Sequence, residues 1–264
     1  MKRIRRTLLQ SFLFIALSSA ALADDSAALM PSQESSSPDP IDAQSAGAAL
    51  GSPGYGSLTL GYDSRYVLYG YRLTRHLYKA DMYLSKPLTD KLSVWAGSWY
   101  GYLADDTYSE LDLYGGANWK VTDRLTAGAS YSLFNYFKAP FTDEANDQEY
   151  VVSLVRAVGE KLTLTLRDQY DLAAKGHLLR ALADFNQPLA GKLTLTLNAE
   201  YGYVLNYYEE ENGPHHALFK MSLAHPITDT LSATLFLART LALNAIDSFE
   251  EDDTYGGVSM TWSF

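Results

Sequence analysis

Histidine is the side chain of this sequence best suited to acid–base, nucleophilic or metal chemistry, and the chain has five histidines. A lipase or acyl hydrolase needs a serine paired with a histidine that a polar group orients. No His-x-Ser segment occurs, and neither does the Asp-x-His segment that some acid-pair proteases use. The pattern therefore favours a protein that is not an enzyme. The histidines are His76, His177, His215, His216 and His225.

The adjacent pair His215 and His216 follows three glutamates at 209–211 and could bind a metal ion. Metal ligands are usually spaced side chains on a rigid frame, whereas adjacent histidines in a loop are more often a solvated tip. The sequence therefore predicts no metal site, and nothing in it predicts a cofactor.

Charged side chains recur in segments that alternate apolar and polar residues. In KLTLTLRDQY (161–170) three leucines lie on one face, with Thr163, Thr165 and Arg167 on the other. KLTLTLNAEYGYVL (192–205) repeats the pattern over a longer stretch. Strict alternation predicts β-strands with one apolar and one polar face.

Five short turn segments separate pairs of these strands: PLTDKLS, KVTDRLT, AVGEKLT, PLAGKLT and PITDTLS. They recur every 31 to 38 residues, which fits two strands of about ten residues, one tight turn and one longer connection. This spacing predicts twelve strands, at 56–72, 77–87, 92–103, 108–120, 125–136, 147–157, 161–171, 177–188, 192–206, 214–226, 230–240 and 253–264.

The start of the chain has the features of a secretory signal. Four basic residues precede a short apolar stretch, and Ala21-Leu22-Ala23 forms a cleavage site, so residues 1–23 are predicted to be removed. Residues 24–54 hold seven Ser, four Pro and five acids, which predicts a disordered periplasmic leader. The chain has no cysteine and therefore no disulfide framework.

An even strand number, tight turns at one end and longer acidic connections at the other are typical of a bacterial outer-membrane barrel. We therefore expect an all-β fold for residues 55–264, a closed up-and-down antiparallel transmembrane β-barrel of about 12 strands. The last strand supports this, because Val258, Met260, Trp262 and Phe264 form an outward apolar row. This row resembles the terminal signal of outer-membrane barrels, whose final aromatic residue is recognised by the barrel-assembly machinery.

Polar residues opposite the apolar rows are predicted to line the lumen. They are either paired charges that stiffen the wall or selectivity groups of a narrow pore. The orientation of strand 3, which carries Trp95 and Trp99, and that of strand 6 stay ambiguous. The predicted lumen residues are Asp63, Arg65, Lys79, Asp81, Glu110, Asp112, Arg167, Arg180, Asp184, Glu200 and Lys220, a nearly balanced set of five basic and six acidic groups.

A resemblance to one family covers most of 55–264. YDSRYVLYGYRLT, SVWAGSWYG and SELDLYGGANWKVTDRLT resemble segments of uncharacterised bacterial outer-membrane β-barrels of porin-like architecture. The resemblance implies the barrel fold and an outer-membrane location, but no activity.

Charge narrows the choice of function. Without the signal, 17 Lys and Arg stand against 31 Asp and Glu, a net charge of −14 that argues against nucleic-acid binding. We expect a small-solute diffusion channel, with outer-membrane lipid and lipopolysaccharide as further partners. A non-conducting structural or adhesive barrel and a rim hydrolase with an unrecognised site remain alternatives. Mild cation preference is expected from acids assigned to the long-loop end: Asp105, Asp106, Asp143, Glu144, Asp147, Glu209, Glu210, Glu211, Asp247, Glu250, Glu251, Asp252 and Asp253.

Overall fold

The computed structural model describes residues 56–104, 108–137, 146–208, 212–248 and 250–264. The predicted signal peptide (1–23) and leader (24–54) lie outside these ranges, as do Asp105, Asp106, Asp143, Glu144 and residues 209–211 of the acidic connections. A search of the described ranges finds no helix with the length and apolar character that a membrane span requires.

The described residues form one closed antiparallel barrel in which every strand pairs with its neighbours in the chain and β1 pairs with β12. The predicted fold class, with twelve strands in an up-and-down order, is confirmed. The strands are β1 (Gly56–Leu68), β2 (Tyr71–Pro87), β3 (Leu92–Leu103), β4 (Tyr108–Thr122), β5 (Leu125–Phe137), β6 (Asn146–Val158), β7 (Leu162–Asp171), β8 (Gly176–Pro188), β9 (Thr194–Leu205), β10 (Gly213–Pro226), β11 (Leu231–Ala242) and β12 (Asp253–Ser263).

The outer face of the barrel carries exposed apolar side chains where a water-soluble protein would bury them. Leu166 is 60% exposed, Leu235 57% and Val152 56%, and each alternates with a buried inward neighbour. Exposure on this scale marks a surface that contacts lipid. In β12 the same alternation turns Val258, Met260, Trp262 and Phe264 outward, and each is about half exposed.

The threonines of the repeated turn segments stabilise the tight turns. Thr89 Oγ1 accepts the N–H groups of Lys91 and Leu92 at 3.2 and 3.0 Å. Thr228 Oγ1 accepts those of Thr230 and Leu231 at 3.3 and 3.0 Å. A side chain that bonds backbone two or three residues ahead favours a turn over continued strand, which explains why threonine recurs in the repeat.

The first hairpin differs from the prediction. The sequence placed the β1–β2 connection at 73–76, but β1 ends at Leu68 and β2 begins at Tyr71. Tyr69 and Gly70 have φ of 48° and 95°, the two positive values that a two-residue type I′ turn requires. The connection at this position is therefore tight, although it lies at the long-loop end.

The upper part of this hairpin also leaves the barrel wall. Strand β1 pairs with β12 only as far as Asp63, and β2 pairs with β3 only from Leu77 onward. Between these points the chain pairs with itself, and we call residues 64–76 the mouth hairpin. The N–H of Gly256, in the part of β12 that β1 has left, donates to Ser64 Oγ at 3.1 Å. Eight residues of the hairpin are partly or well exposed, but its tip, Tyr69 and Gly70, is buried.

Candidate functional site: the barrel interior and its outer mouth

All eleven predicted lumen residues belong to the inward rows of their strands. Seven are buried, and Arg65, Lys79, Asp81 and Asp184 are partly buried. The placement agrees with the alternation of the sequence, while the role of these residues in selectivity stays a prediction. The seven buried residues are Asp63, Glu110, Asp112, Arg167, Arg180, Glu200 and Lys220.

Several inward charges form ion pairs within the wall. Lys79 Nζ lies 2.8 Å from Asp63 Oδ2. Arg180 holds Glu200 with two bonds, Nε to Oε1 at 2.6 Å and Nη2 to Oε2 at 2.9 Å, and both side chains are almost fully buried. Lys220 stacks its ammonium 4.5 Å above the ring of Phe236. These contacts fit the interpretation of paired charges that stiffen the wall.

The interior is more acidic than the sequence indicated. Glu149, Asp171 and Asp253 are also buried and inward, which raises the acids of this set from six to nine against five basic groups. Glu149 was missed because the orientation of strand 6 was ambiguous. Asp253 was counted with the acids of the long-loop end, although the predicted last strand begins with it; it is the first residue of β12 and forms an ion pair with Arg65. The expectation of a balanced lumen is therefore wrong.

Three inward acids on the β2–β6 side of the barrel accept hydrogen bonds from neutral donors. Asp81 accepts from the hydroxyl of Tyr114, and Glu110 accepts from that of Tyr66 at 3.1 Å. Glu149 accepts from the amide of Gln169 at 2.7 Å. These hydrogen bonds hold the three carboxylates in place.

Asp112 lies in the middle of this acidic wall. Its side chain is 1% exposed, and neither carboxylate oxygen accepts a hydrogen bond from an N–H or hydroxyl group of the described residues; its hydrogen-bonding neighbour is the carboxyl group of Glu110. The charged groups that act on it are further carboxylates, those of Glu110, Glu149 and Asp81. A buried carboxylate among like charges is unfavourable unless it takes up a proton or a cation lies nearby.

Aromatic rings fill the same side of the interior. Trp95 and Trp99, whose orientation was ambiguous, both face inward and are 4% and 3% exposed. Trp95 lies 6.2 Å from the ring of Tyr83 and 6.1 Å from that of Tyr114. The Trp95 indole N–H has no acceptor among the described residues.

A hydrogen-bonded chain of side chains crosses the outer mouth. His216 Nε2 lies 2.9 Å from Glu200 Oε1, the Nδ1 atoms of His216 and His215 are 2.8 Å apart, and His215 Nε2 lies 3.3 Å from Tyr71 Oη. The expectation that His215 and His216 form a solvated loop tip is wrong. A register shift between Pro214 and Ala217 places both in β10, and they are buried at 0% and 2% exposure.

An apolar cluster lies above this chain. Tyr69 of the mouth hairpin packs with Tyr207 and with Ile246, which follows β11. Burial, with Glu149 and Asp171 nearby, holds the pKa of the Tyr207 hydroxyl well above its ordinary value, so Tyr207 stays a neutral donor to Glu149 at 3.3 Å. The cluster covers the interior at the long-loop end.

The remaining histidines lie away from the interior. His76 Nδ1 lies 2.7 Å from the Tyr62 hydroxyl, and His225 is exposed near the tight-turn end. His177 Nδ1 lies 2.8 Å from Asp168 Oδ1 on the outer face, with the ring of Tyr170 at 4.9 Å. A group of three or more His, Cys, Asp or Glu side chains able to hold a metal ion is absent from the described ranges.

No protein-family model matches the sequence, and no curated protein is similar to it in sequence. Solved structures do match the barrel. The outer-membrane channel COG4313 from Pseudomonas putida F1 superimposes with a TM-score of 0.57 at 10% identity, over 80% of this chain and 96% of that one. The NanC porin gives 0.52 at 12% identity, over 79% and 100%.

The KdgM porin in complex with disordered oligogalacturonate gives a TM-score of 0.52 at 14% identity, over 79% of this chain and 99% of that one. At identities this low, the structural match establishes the fold but does not identify the solute. Together with the lipid-facing belt, they confirm the prediction of porin-like architecture: the chain has the fold of a bacterial outer-membrane channel barrel.

Proposed function

We propose that the protein is an outer-membrane channel for small solutes and that it prefers cations. The observation that carries this proposal is the acidic surplus of the interior, nine inward acids against five basic groups in the described set. A barrel whose interior served only as a structural core would be expected to fill it with apolar side chains or fully paired polar ones. Asp112 does not fit that expectation, because it is buried and its hydrogen-bonding neighbour among the described groups is another carboxyl group, that of Glu110.

Cation preference follows from the electrostatics of a narrow passage. An acidic wall in a low-dielectric barrel raises the local concentration of cations and repels anions, and the effect weakens with salt because the screening length is about 10 Å at 0.1 M. The acidic connections, in part outside the described ranges, would act in the same direction. The oligogalacturonate of the KdgM complex is an acidic sugar, which an acidic interior would repel.

The test is the reversal potential of refolded protein in planar bilayers under a potassium chloride gradient, at low and high salt. Wild type should prefer potassium at low salt, and Asp112→Asn should weaken that preference. The matched control is Asp168→Asn, which removes an equal charge from the outer face. A wild-type channel that prefers anions would contradict the proposal and would assign selectivity to Arg65, Arg167 and Arg180.

One observation favours a second candidate, a barrel that does not conduct. Seven predicted lumen residues are nearly inaccessible, and aromatic side chains fill the β2–β6 side of the interior. Such a protein would serve as a structural or adhesive barrel that displays acidic loops. Bilayers that contain folded wild-type protein and show no conductance under any condition would support it.

We also propose the remaining roles inferred from the sequence. The protein is not an enzyme, and a rim hydrolase is disfavoured because the ring beside the Asp168–His177 pair is Tyr170, a poor substitute for a serine nucleophile. Lipid and lipopolysaccharide surround the barrel after a cleaved signal peptide directs export. The outward row from Val258 to Phe264 is the signal for the assembly machinery, and its exposure on β12 leaves it accessible.

A further inference from the structure

The mouth hairpin, residues 64–76, lies where a solute would enter. Both of its strands leave the wall at the same level, after Asp63 in β1 and before Leu77 in β2. A wall hairpin that only extended the barrel upward would continue its pairing with β12, which runs on to Asp253, whereas β3 itself ends at Leu103, the partner of Leu77. The chain instead turns toward the barrel axis and closes with the tight turn at Tyr69 and Gly70.

Contacts of the hairpin reach strands on opposite sides of the barrel. The Tyr66 hydroxyl donates to Glu110 of β4 at 3.1 Å. The guanidinium carbon of Arg180, in β8, lies 4.9 Å from the centre of the Tyr69 ring. Tyr71 approaches His215 of β10. Since β4 and β10 are six strands apart in a barrel of twelve, the hairpin spans the mouth.

We propose that the mouth hairpin is a gate that closes the outer mouth of the channel and opens by swinging away from Arg180 and His215. The inference rests on the proposed channel function and adds the element that controls it. Two local features suit a hinge: Ser64 substitutes for a lost backbone partner of β12, and His76 has a positive φ of 57°. A non-glycine residue in that conformation is uncommon and often marks a bulge or a switch.

The contacts that hold the gate are of a kind that can break and re-form. They include the Arg65–Asp253 ion pair, two tyrosine hydroxyl bonds and one cation–π contact, beside the apolar packing of Tyr69. Water can replace the polar partners when the hairpin moves, so opening costs less than separation of an apolar core of the same size. Since these contacts are all made in the closed state, we expect that state to be the major one and the open state to be a minor one.

A disulfide lock tests the gate directly, because the chain has no cysteine of its own. An added Cβ at Gly70 would lie 2.8 Å from His216 Cβ, close enough for a disulfide after a small shift. The Gly70→Cys/His216→Cys double variant should conduct when reduced and lose its open events when oxidised. Each single variant is the control and should not respond to the oxidant. Equal currents in both redox states, with the disulfide confirmed by mass, would overturn the proposal.

Deletion of the hairpin gives a second test that does not depend on cysteine at a positive φ. Residues 65–75 are replaced by an Asn-Gly turn, and heat-modifiable gel mobility confirms that the barrel folds. If the open state is at most about 10% populated, deletion should raise the mean current at least about tenfold.

The outcomes separate the two proposals. Equal currents in wild type and deletion variant would refute the gate and leave the channel standing. No current from either protein, with both folded, would refute the channel and the gate together, because the aromatic interior and not the hairpin would then block passage.

Discussion

Replacement of Glu200 by Gln should destabilise the barrel more than any other single isosteric change at an inward acid. Glu200 accepts two bonds from Arg180, at 2.6 and 2.9 Å, and lies 2.9 Å from His216 Nε2. Glutamine removes the charge and turns one acceptor into a donor that faces the guanidinium. The arginine is 3% exposed and stays buried without a counter-charge.

Removal of one partner of a buried ion pair typically costs about 3–5 kcal/mol. Since 1.4 kcal/mol is a factor of ten, the ratio of folded to unfolded protein should fall by two orders of magnitude or more. The assay is urea unfolding of protein folded into lipid vesicles, followed by tryptophan fluorescence. The double variant Arg180→Met/Glu200→Gln should recover a large part of the loss, because an uncharged pair leaves no buried charge behind.

Asp184→Asn is the matched control, since Asp184 is also inward but only partly buried and accepts from the neutral amide of Asn198 at 2.7 Å. Its expected cost is that of one ordinary hydrogen bond, about 1 kcal/mol. The reasoning would be refuted if Glu200→Gln stayed within about 1 kcal/mol of wild type, or if the double variant lost as much as the sum of the single variants.

Three further outcomes are expected. Leu166→Arg, at a mid-strand position that is 60% exposed, should cost about 2–4 kcal/mol in the same assay, whereas Leu166→Phe should be nearly neutral; equal effects would mean that this face does not contact lipid. Thr228→Ala should lose about 0.5–1.5 kcal/mol and Thr228→Ser much less, since the hydroxyl is the group that accepts the turn N–H groups; a loss with serine as large as with alanine would contradict this. Phe264→Ser should lower the amount of heat-modifiable, folded barrel in cells, with Leu235→Ser as an outward control on β11, and unchanged abundance would disprove the assembly role.

The sequence alone predicts which side chains face inward where a strand keeps a strict period of two. The outward row of β12, Arg167 of β7 and Glu200 of β9 follow directly from alternation, because only a half-apolar strand can face lipid on one side. The same reasoning does not determine the orientation of strand β3. Its inward row carries two tryptophans and its outward row carries Val94 and Ala96, so hydrophobicity does not distinguish the faces.

Irregular backbone accounts for the other errors. The bulge at Pro214–Ala217 puts two successive histidines on the inner side, which alternation forbids. The mouth hairpin contains a further irregularity, between Tyr66 and Val67, and its departure from β12 and β3 depends on contacts with β4, β8 and β10. Such contacts between residues far apart in the chain have no signature in a local pattern.

The seam between β1 and β12 determines how the order of the strands along the chain can be permuted. Gly56 and Phe264 exchange two backbone hydrogen bonds, at 3.1 and 3.0 Å, and Thr59 pairs with Thr261 across a sequence separation of 202 residues. All other strand pairings join consecutive strands, so the sequence separation of paired residues is small everywhere except at the β1–β12 seam. A short linker from Phe264 to Gly56 would make the seam a local hairpin, and new termini in the β5–β6 connection would move the long-range pairing there. Because closure entropy grows only with the logarithm of loop length, the permuted barrel should have nearly the same stability, while the last pair of strands to join changes from β1–β12 to β5–β6.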